Sequence, residues 1–142
     1  MQTVNQVLSA KSGQMFSVAP TDSVLHAIEV MATHEIGSLL VMDGVKLLGV
    51  MTERDYARKV ILKKRSSYDT PVGDVMTSPP TTVPPEATVH ACMELMTECR
   101  LRHLPVVKAG REIGIVSIGD LVKAVIEDQS QQIEHLERYI AG

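Results

Sequence analysis

Residues 17–61 read SVAPTDSVLHAIEVMATHEIGSLLVMDGVKLLGVMTERDYARKVI, and residues 82–126 read TVPPEATVHACMELMTECRLRHLPVVKAGREIGIVSIGDLVKAVI. The two stretches align without a gap at a constant offset of 65. Identities fall at Val18/Val83, Pro20/Pro85, Val24/Val89, Glu29/Glu94 and Met31/Met96, and continue at Leu39/Leu104, Val41/Val106, Gly49/Gly114, Asp55/Asp120, Val60/Val125 and Ile61/Ile126. Most other pairs keep apolar with apolar. The chain is a duplicated unit, and reading one copy reads the other.

Each copy opens with a short extended piece that ends at Pro20 or Pro85, since a proline disfavours helix in the residue before it. An amphipathic helix follows. Val24, Ala27, Ile28, Met31 and Ala32 recur at helical spacing, as do Val89, Cys92, Met93 and Met96. Two short apolar strands come next, Ser38–Met42 then Leu47–Met51 in the first copy, Leu104–Val107 then Glu112–Val116 in the second. Asp43-Gly44 and Ala109-Gly110 turn between them. A second helix starts near Asp55 or Asp120 and is expected to carry Val60 and Ile61, or Val125 and Ile126, inward. The expected class is α+β, β-α-β-β-α twice. A unit of about 45 residues buries too little surface to stand alone, so the two copies are expected to stabilise each other. The expected divisions are 1–71, a first repeat with an N-terminal extension; 72–126, the second repeat; and 127–142, a C-terminal helix. Residues 66–81, rich in Ser, Pro and Thr, read as a connector.

Of 142 residues, 44% are hydrophobic and 22% charged; there is no tryptophan and one phenylalanine, Phe16. Aliphatic side chains and eight methionines must therefore make the core. The net charge of −3 and the lack of aromatics interleaved with basic residues argue against nucleic-acid binding. No apolar run reaches the length of a membrane helix and the N-terminus lacks a signal-peptide pattern, so a cytoplasmic location is expected. Cys92 and Cys99 are one face but about 10 Å apart on a helix, too far to bridge, and read as two small buried hydrophobes. No spacing suggests a zinc site. In the tail, Ile133, Leu136 and Ile140 form one helical stripe, which either folds back on its own core or meets a second subunit.

These residues resemble a pair of cystathionine β-synthase (CBS) domains, the arrangement called a Bateman module. The resemblance covers nearly the whole chain. It rests on Val75-Met76-Thr77 opening the second copy, on Arg102-His103-Leu104-Pro105-Val106-Val107, and on the paired Gly49–Asp55 and Gly114–Asp120 segments. It implies two repeats packed with pseudo-twofold symmetry, homodimers, and a stand-alone regulatory module that binds an adenosine nucleotide (AMP, ATP or NAD), requires no metal, catalyses nothing and signals to an unidentified target protein. A pair with empty clefts acting as an interaction scaffold is the alternative.

Thr52-x-x-Asp55 and Ser117-x-x-Asp120 carry the expected chemistry. The pattern is a helix capping box, and a capped helix start also presents N–H groups and a positive dipole end to a phosphate. The resemblance gives the hydroxyl a phosphate contact and the carboxylate the two ribose hydroxyls. It further implies two clefts that join one copy's Asp to the other copy's early strands. One combines Thr52, Arg54, Asp55 and Arg58 with Thr82, Val83, Arg102 and His103. The other combines Ser117 and Asp120 with Ser17, Val18, Gly37 and Ser38, and carries less charge. Val18, Val83 and Pro84 would flank the adenine. The run Arg58, Lys59, Lys63, Lys64 and Arg65 reads as a solvated face or as a site for a phosphate tail or an acidic partner. The sequence contains no Ser–His–Asp arrangement, HExxH or P-loop, so no enzyme is expected.

Overall fold

The computed structural model describes residues 2–11 and 15–141. In chain order the elements are α1 (Val4–Ala10), β1 (Ser17–Val18), α2 (Val24–His34), β2 (Ser38–Asp43), β3 (Lys46–Thr52), α3 (Glu53–Tyr56) continuing as a π-helix (Ala57–Ile61), a 3₁₀ turn (Val72–Asp74), α4 (Val89–Cys99), β4 (His103–Lys108), β5 (Arg111–Ser117) and α5 (Ile118–Ala141). The mixed class agrees with the sequence reading; the β-α-β-β-α order is complete in the first repeat, and in the second a single β-bridge stands where the opening strand was expected. The chain divides into two compact units, residues 14–81 and residues 1–13 with 82–142.

In the first of these, β1 pairs parallel with β2, and β2 pairs antiparallel with β3. Ser23 caps α2 by accepting the His26 N–H at 3.1 Å. The helix ends on Glu35 in the left-handed region, φ 54°. The same devices recur 65 residues on, with Thr88 capping α4 and Arg100 closing it at φ 56°. Both hairpins have two-residue loops. Gly44 alone has positive φ in the first, while Ala109 and Gly110 both do in the second, the sign patterns of type II′ and type I′ turns. Both hairpins also carry a bulge at the same place, Val41/Met42 and Val106/Val107.

The copies differ where the sheet starts. In the first, the Leu40 N–H donates to the Phe16 carbonyl and a strand forms. The residue matching Leu40 is Pro105, which has no N–H to donate. The second copy therefore opens with a single parallel bridge, Val83 to Val106, and its sheet has two strands.

Three sequence expectations change. First, the N-terminal segment packs with the second repeat, not the first. Val4 and Val7 are buried among Val83, Val89, Leu104, Val116 and Leu121, and the Val4 N–H donates to the Ala87 carbonyl at 2.8 Å. Likewise residues 66–81 are more than a connector, because Val72 and Val75 are fully buried in the first repeat's core. Second, residues 127–141 are not a separate helix but the continuation of α5, with Ile133, Leu136 and Ile140 exposed, so the tail does not fold back on its own core. Third, Ile61 and Ile126 face outward although their neighbours Val60 and Val125 turn inward, because consecutive residues are about 100° apart on a helix. Cys92 is buried as expected, but Cys99 is exposed; both are free thiols.

Candidate functional site

In each unit the end of one hairpin strand turns directly into a helix, and the turn carries the polar residues. In the first repeat, Thr52 closes β3 and caps α3. The Asp55 N–H donates to Thr52 Oγ1 at 3.1 Å, and the Thr52 N–H donates to Asp55 Oδ2 at 3.0 Å. In the second, the Asp120 N–H donates to Ser117 Oγ at 3.1 Å, and the Ser117 N–H donates to Asp120 Oδ2 at 2.8 Å. The capping-box reading of both segments is thus realised.

The strand entrances lie against these helix starts. The Glu53 N–H donates to the Gly37 carbonyl at 3.1 Å, and the Ile118 N–H donates to the Arg102 carbonyl at 2.9 Å. Ser38 pairs with Thr52 across the sheet, and His103 pairs with Ser117. These bonds bring Gly37, Ser38, Thr52 and Asp55 together in one unit, which also holds Ser17, Val18, Arg54 and Arg58. They bring Arg102, His103, Ser117 and Asp120 together in the other, which also holds Thr82 and Val83. Arg58, Thr82, Pro84 and Arg102 are exposed. Val18 and Val83 are buried in the cores of their repeats, 4% and 7% exposed.

The two carboxylates have different surroundings. Asp55 is buried, and besides the Thr52 N–H it receives the Thr52 hydroxyl at 3.1 Å, the Thr77 hydroxyl at 3.3 Å and the Lys59 ammonium at 3.1 Å. The Lys59 ammonium also donates to the Val75 carbonyl at 2.9 Å. Asp120 is more open, with its side chain 23% exposed, and pairs with the Lys11 ammonium at 2.9 Å. Burial pushes the Asp120 carboxyl up, but hydrogen bonds from Lys11 and Ser117 and the Lys11 charge outweigh it and hold the group below the ordinary carboxylate range.

Sequence reasoning missed Lys11, Lys59 and Thr77 as carboxylate partners. The spacing of Lys59 four residues after Asp55 could have found the second. Lys11 gives no local signal. The basic run divides: Lys59 serves Asp55, Arg65 pairs with Asp74 at 2.9 Å, and Arg58, Lys63 and Lys64 are exposed. Among the described residues no His, Cys, Asp or Glu cluster could hold a metal ion, and none of the helices is long and apolar enough to cross a membrane.

This duplicated strand–turn–helix architecture has known counterparts. The CBS domain family model matches twice, at residues 8–62 and 72–127. The chain belongs to the CBS domain family and carries two such domains in tandem, as CBS-pair regulatory proteins do. It is 40% identical over 99% of its length to CBS domain-containing protein CBSX3, mitochondrial, of Arabidopsis thaliana, covering 72% of that protein. A structure of a protein with CBS domains from Burkholderia ambifaria MC40-6 superposes with a TM-score of 0.87 at 50% identity, covering 90% of this chain and 96% of that one. The crystal structure of CBSX2 in complex with AMP matches with a TM-score of 0.73 at 29% identity, covering 91% and 99% of the two chains.

Proposed function

We propose that this CBS pair is a non-catalytic regulatory module that binds an adenosine nucleotide (AMP, ATP or NAD) and passes its ligand state to a partner protein. The observation that carries the reading is the duplicated capping box. In each copy a Thr or Ser hydroxyl and an Asp carboxylate meet at the first turn of a helix, Thr52 with Asp55 and Ser117 with Asp120. A ribose offers two O–H donors, which a carboxylate accepts. A phosphate is an acceptor, and a helix start offers it N–H groups and a positive dipole end. The proposed binding residues are Ser17, Val18, Gly37, Ser38, Thr52, Arg54, Asp55 and Arg58 of the first repeat and Thr82, Val83, Arg102, His103, Ser117 and Asp120 of the second. The AMP complex of CBSX2 supports the ligand class, and Arg54, Arg58 and Arg102 favour a ligand with a phosphate.

We also propose a homodimer, supported by the exposed apolar stripe on α5, where Ile126, Ile133, Leu136 and Ile140 are 57%, 56%, 59% and 82% exposed.

A second reading, a scaffold without nucleotide, is favoured by one observation. Asp55 is buried and already served by Thr52, Thr77 and Lys59, so it needs no ligand for its own satisfaction.

Thermal unfolding with millimolar AMP, ADP, ATP, NAD and S-adenosylmethionine separates the two. At about 100 times its Kd a ligand stabilises the fold by roughly 2.7 kcal/mol, about 5–10 °C in melting temperature for a chain of this size. A shift with none of them leaves the scaffold reading.

A further inference from the structure

Asp120 is held by an element remote in sequence. Lys11 is the C-cap of α1, a helix anchored by the buried Val4 and Val7. Its ammonium stands 2.9 Å from Asp120 Oδ2 and donates to the Ile115 carbonyl at 2.9 Å. The same Oδ2 accepts the Ser117 N–H. Asp55 differs, since its lysine partner comes from the following turn of its own helical segment.

A ribose 2′,3′-diol engages a carboxylate by donating two hydrogens, one to each oxygen. The Lys11 ammonium is a donor to the same carboxylate, and an oxygen that already accepts an N–H and an ammonium has its lone pairs engaged. Diol and ammonium therefore compete for Asp120. We infer that Lys11 is an internal competitor that occupies Asp120 in the free protein and must leave Oδ2 when a nucleoside ribose binds there. The inference rests on the proposed reading of Asp120 as a ribose acceptor. Displacement has a second consequence. It frees one positive charge beside the site, and a phosphate can neutralise that charge where a bare nucleoside cannot. The competitor thus biases the Asp120 site toward nucleotides over nucleosides.

Lys11 is 40% exposed, so Lys11→Met, which keeps the apolar stem, is expected to fold; Lys11→Gln, a neutral donor, is the second variant. Calorimetric titration with adenosine and with AMP is run on the unaltered protein, on both variants, on Asp120→Asn and on Lys11→Met with Asp120→Asn. Removing a half-exposed ion pair should tighten adenosine about two- to five-fold in Lys11→Met and less in Lys11→Gln. The preference for AMP over adenosine should fall, and the gain should vanish in the Asp120→Asn background. Unchanged or weakened adenosine binding in Lys11→Met overturns the competitor, as does a gain that persists without Asp120. If adenosine and AMP bind none of the proteins, the nucleotide reading fails and the competitor with it. Binding that weakens in Asp120→Asn but ignores Lys11 leaves the nucleotide reading standing.

Discussion

Gly49 on β3 lies directly under the backbone of Thr77: a Cβ on Gly49 would stand 2.5 Å from the Thr77 carbonyl oxygen. Hydrogen bonds fix that approach, the Val50 N–H donating to the Thr77 carbonyl at 3.1 Å and the Thr77 N–H to the Val50 carbonyl at 2.8 Å. Thr77 in turn donates to Asp55, so one glycine sets the spacing of a candidate site.

Gly49→Ala should therefore destabilise the fold by about 1–3 kcal/mol, the usual cost of overpacking. The matching Gly114 faces the Leu8 side chain at 2.7 Å rather than backbone. Leucine can change rotamer, so Gly114→Ala should cost less. Denaturant unfolding of the two variants checks the order, and equal losses would mean that the Gly49 contact yields as easily as a side chain does.

The Asp120 carboxyl is held below the ordinary range, with Lys11 and Ser117 outweighing burial. A carboxyl with a lowered folded pKa contributes stability that is fully present above its unfolded value, about 3.9, and is lost as pH falls through the lower folded value. The stability gap between the unaltered protein and Asp120→Asn should hold from neutral pH down to about pH 5 and close below about pH 4. Urea unfolding across that range measures it, and a gap that widens in acid would contradict the Lys11 pairing.

Cys92 is 1% exposed and burial pushes its thiol pKa up, whereas Cys99 is exposed. A thiolate is the reactive form. An aromatic disulfide reagent at neutral pH should label one thiol per folded chain quickly, identified by peptide mapping as Cys99, and the second only on unfolding. Two equal fast phases would mean that the α4 face is open.

On α5 the exposed Ile126, Ile133 and Ile140 recur every seven residues, with Leu136 between the last two. Ile and Leu at such positions suit a two-stranded helical seam. Light scattering should give about twice the 15.5 kDa chain mass, and Ile133→Glu with Leu136→Glu should lower it if the stripe is the seam. A monomer at tens of micromolar would rule the dimer out.

The duplication made much of this fold readable. The 65-residue register carries the two amphipathic helices, the two hairpins and the two capping boxes. Local chemistry dictates those features, and local chemistry is what a sequence displays. Long-range contacts were hidden. Val72 and Val75 sit in a stretch whose Ser, Pro and Thr content reads as loop, yet both are core. Periodicity gives Ile133 and Leu136 a face but not what covers it. Lys11 reaches Asp120 only because α1 docks on the second repeat, and nothing near either residue announces the pair.

The most direct test of the central claim is calorimetric titration of AMP into the unaltered protein, Asp55→Asn and Asp120→Asn. The account predicts saturable binding to the unaltered protein. It also predicts a loss of about 10- to 150-fold in at least one variant, since a charge-assisted hydrogen bond is worth about 1.5–3 kcal/mol. No binding to the unaltered protein, or equal affinity in all three, would reduce both Asp residues to helix caps and contradict it.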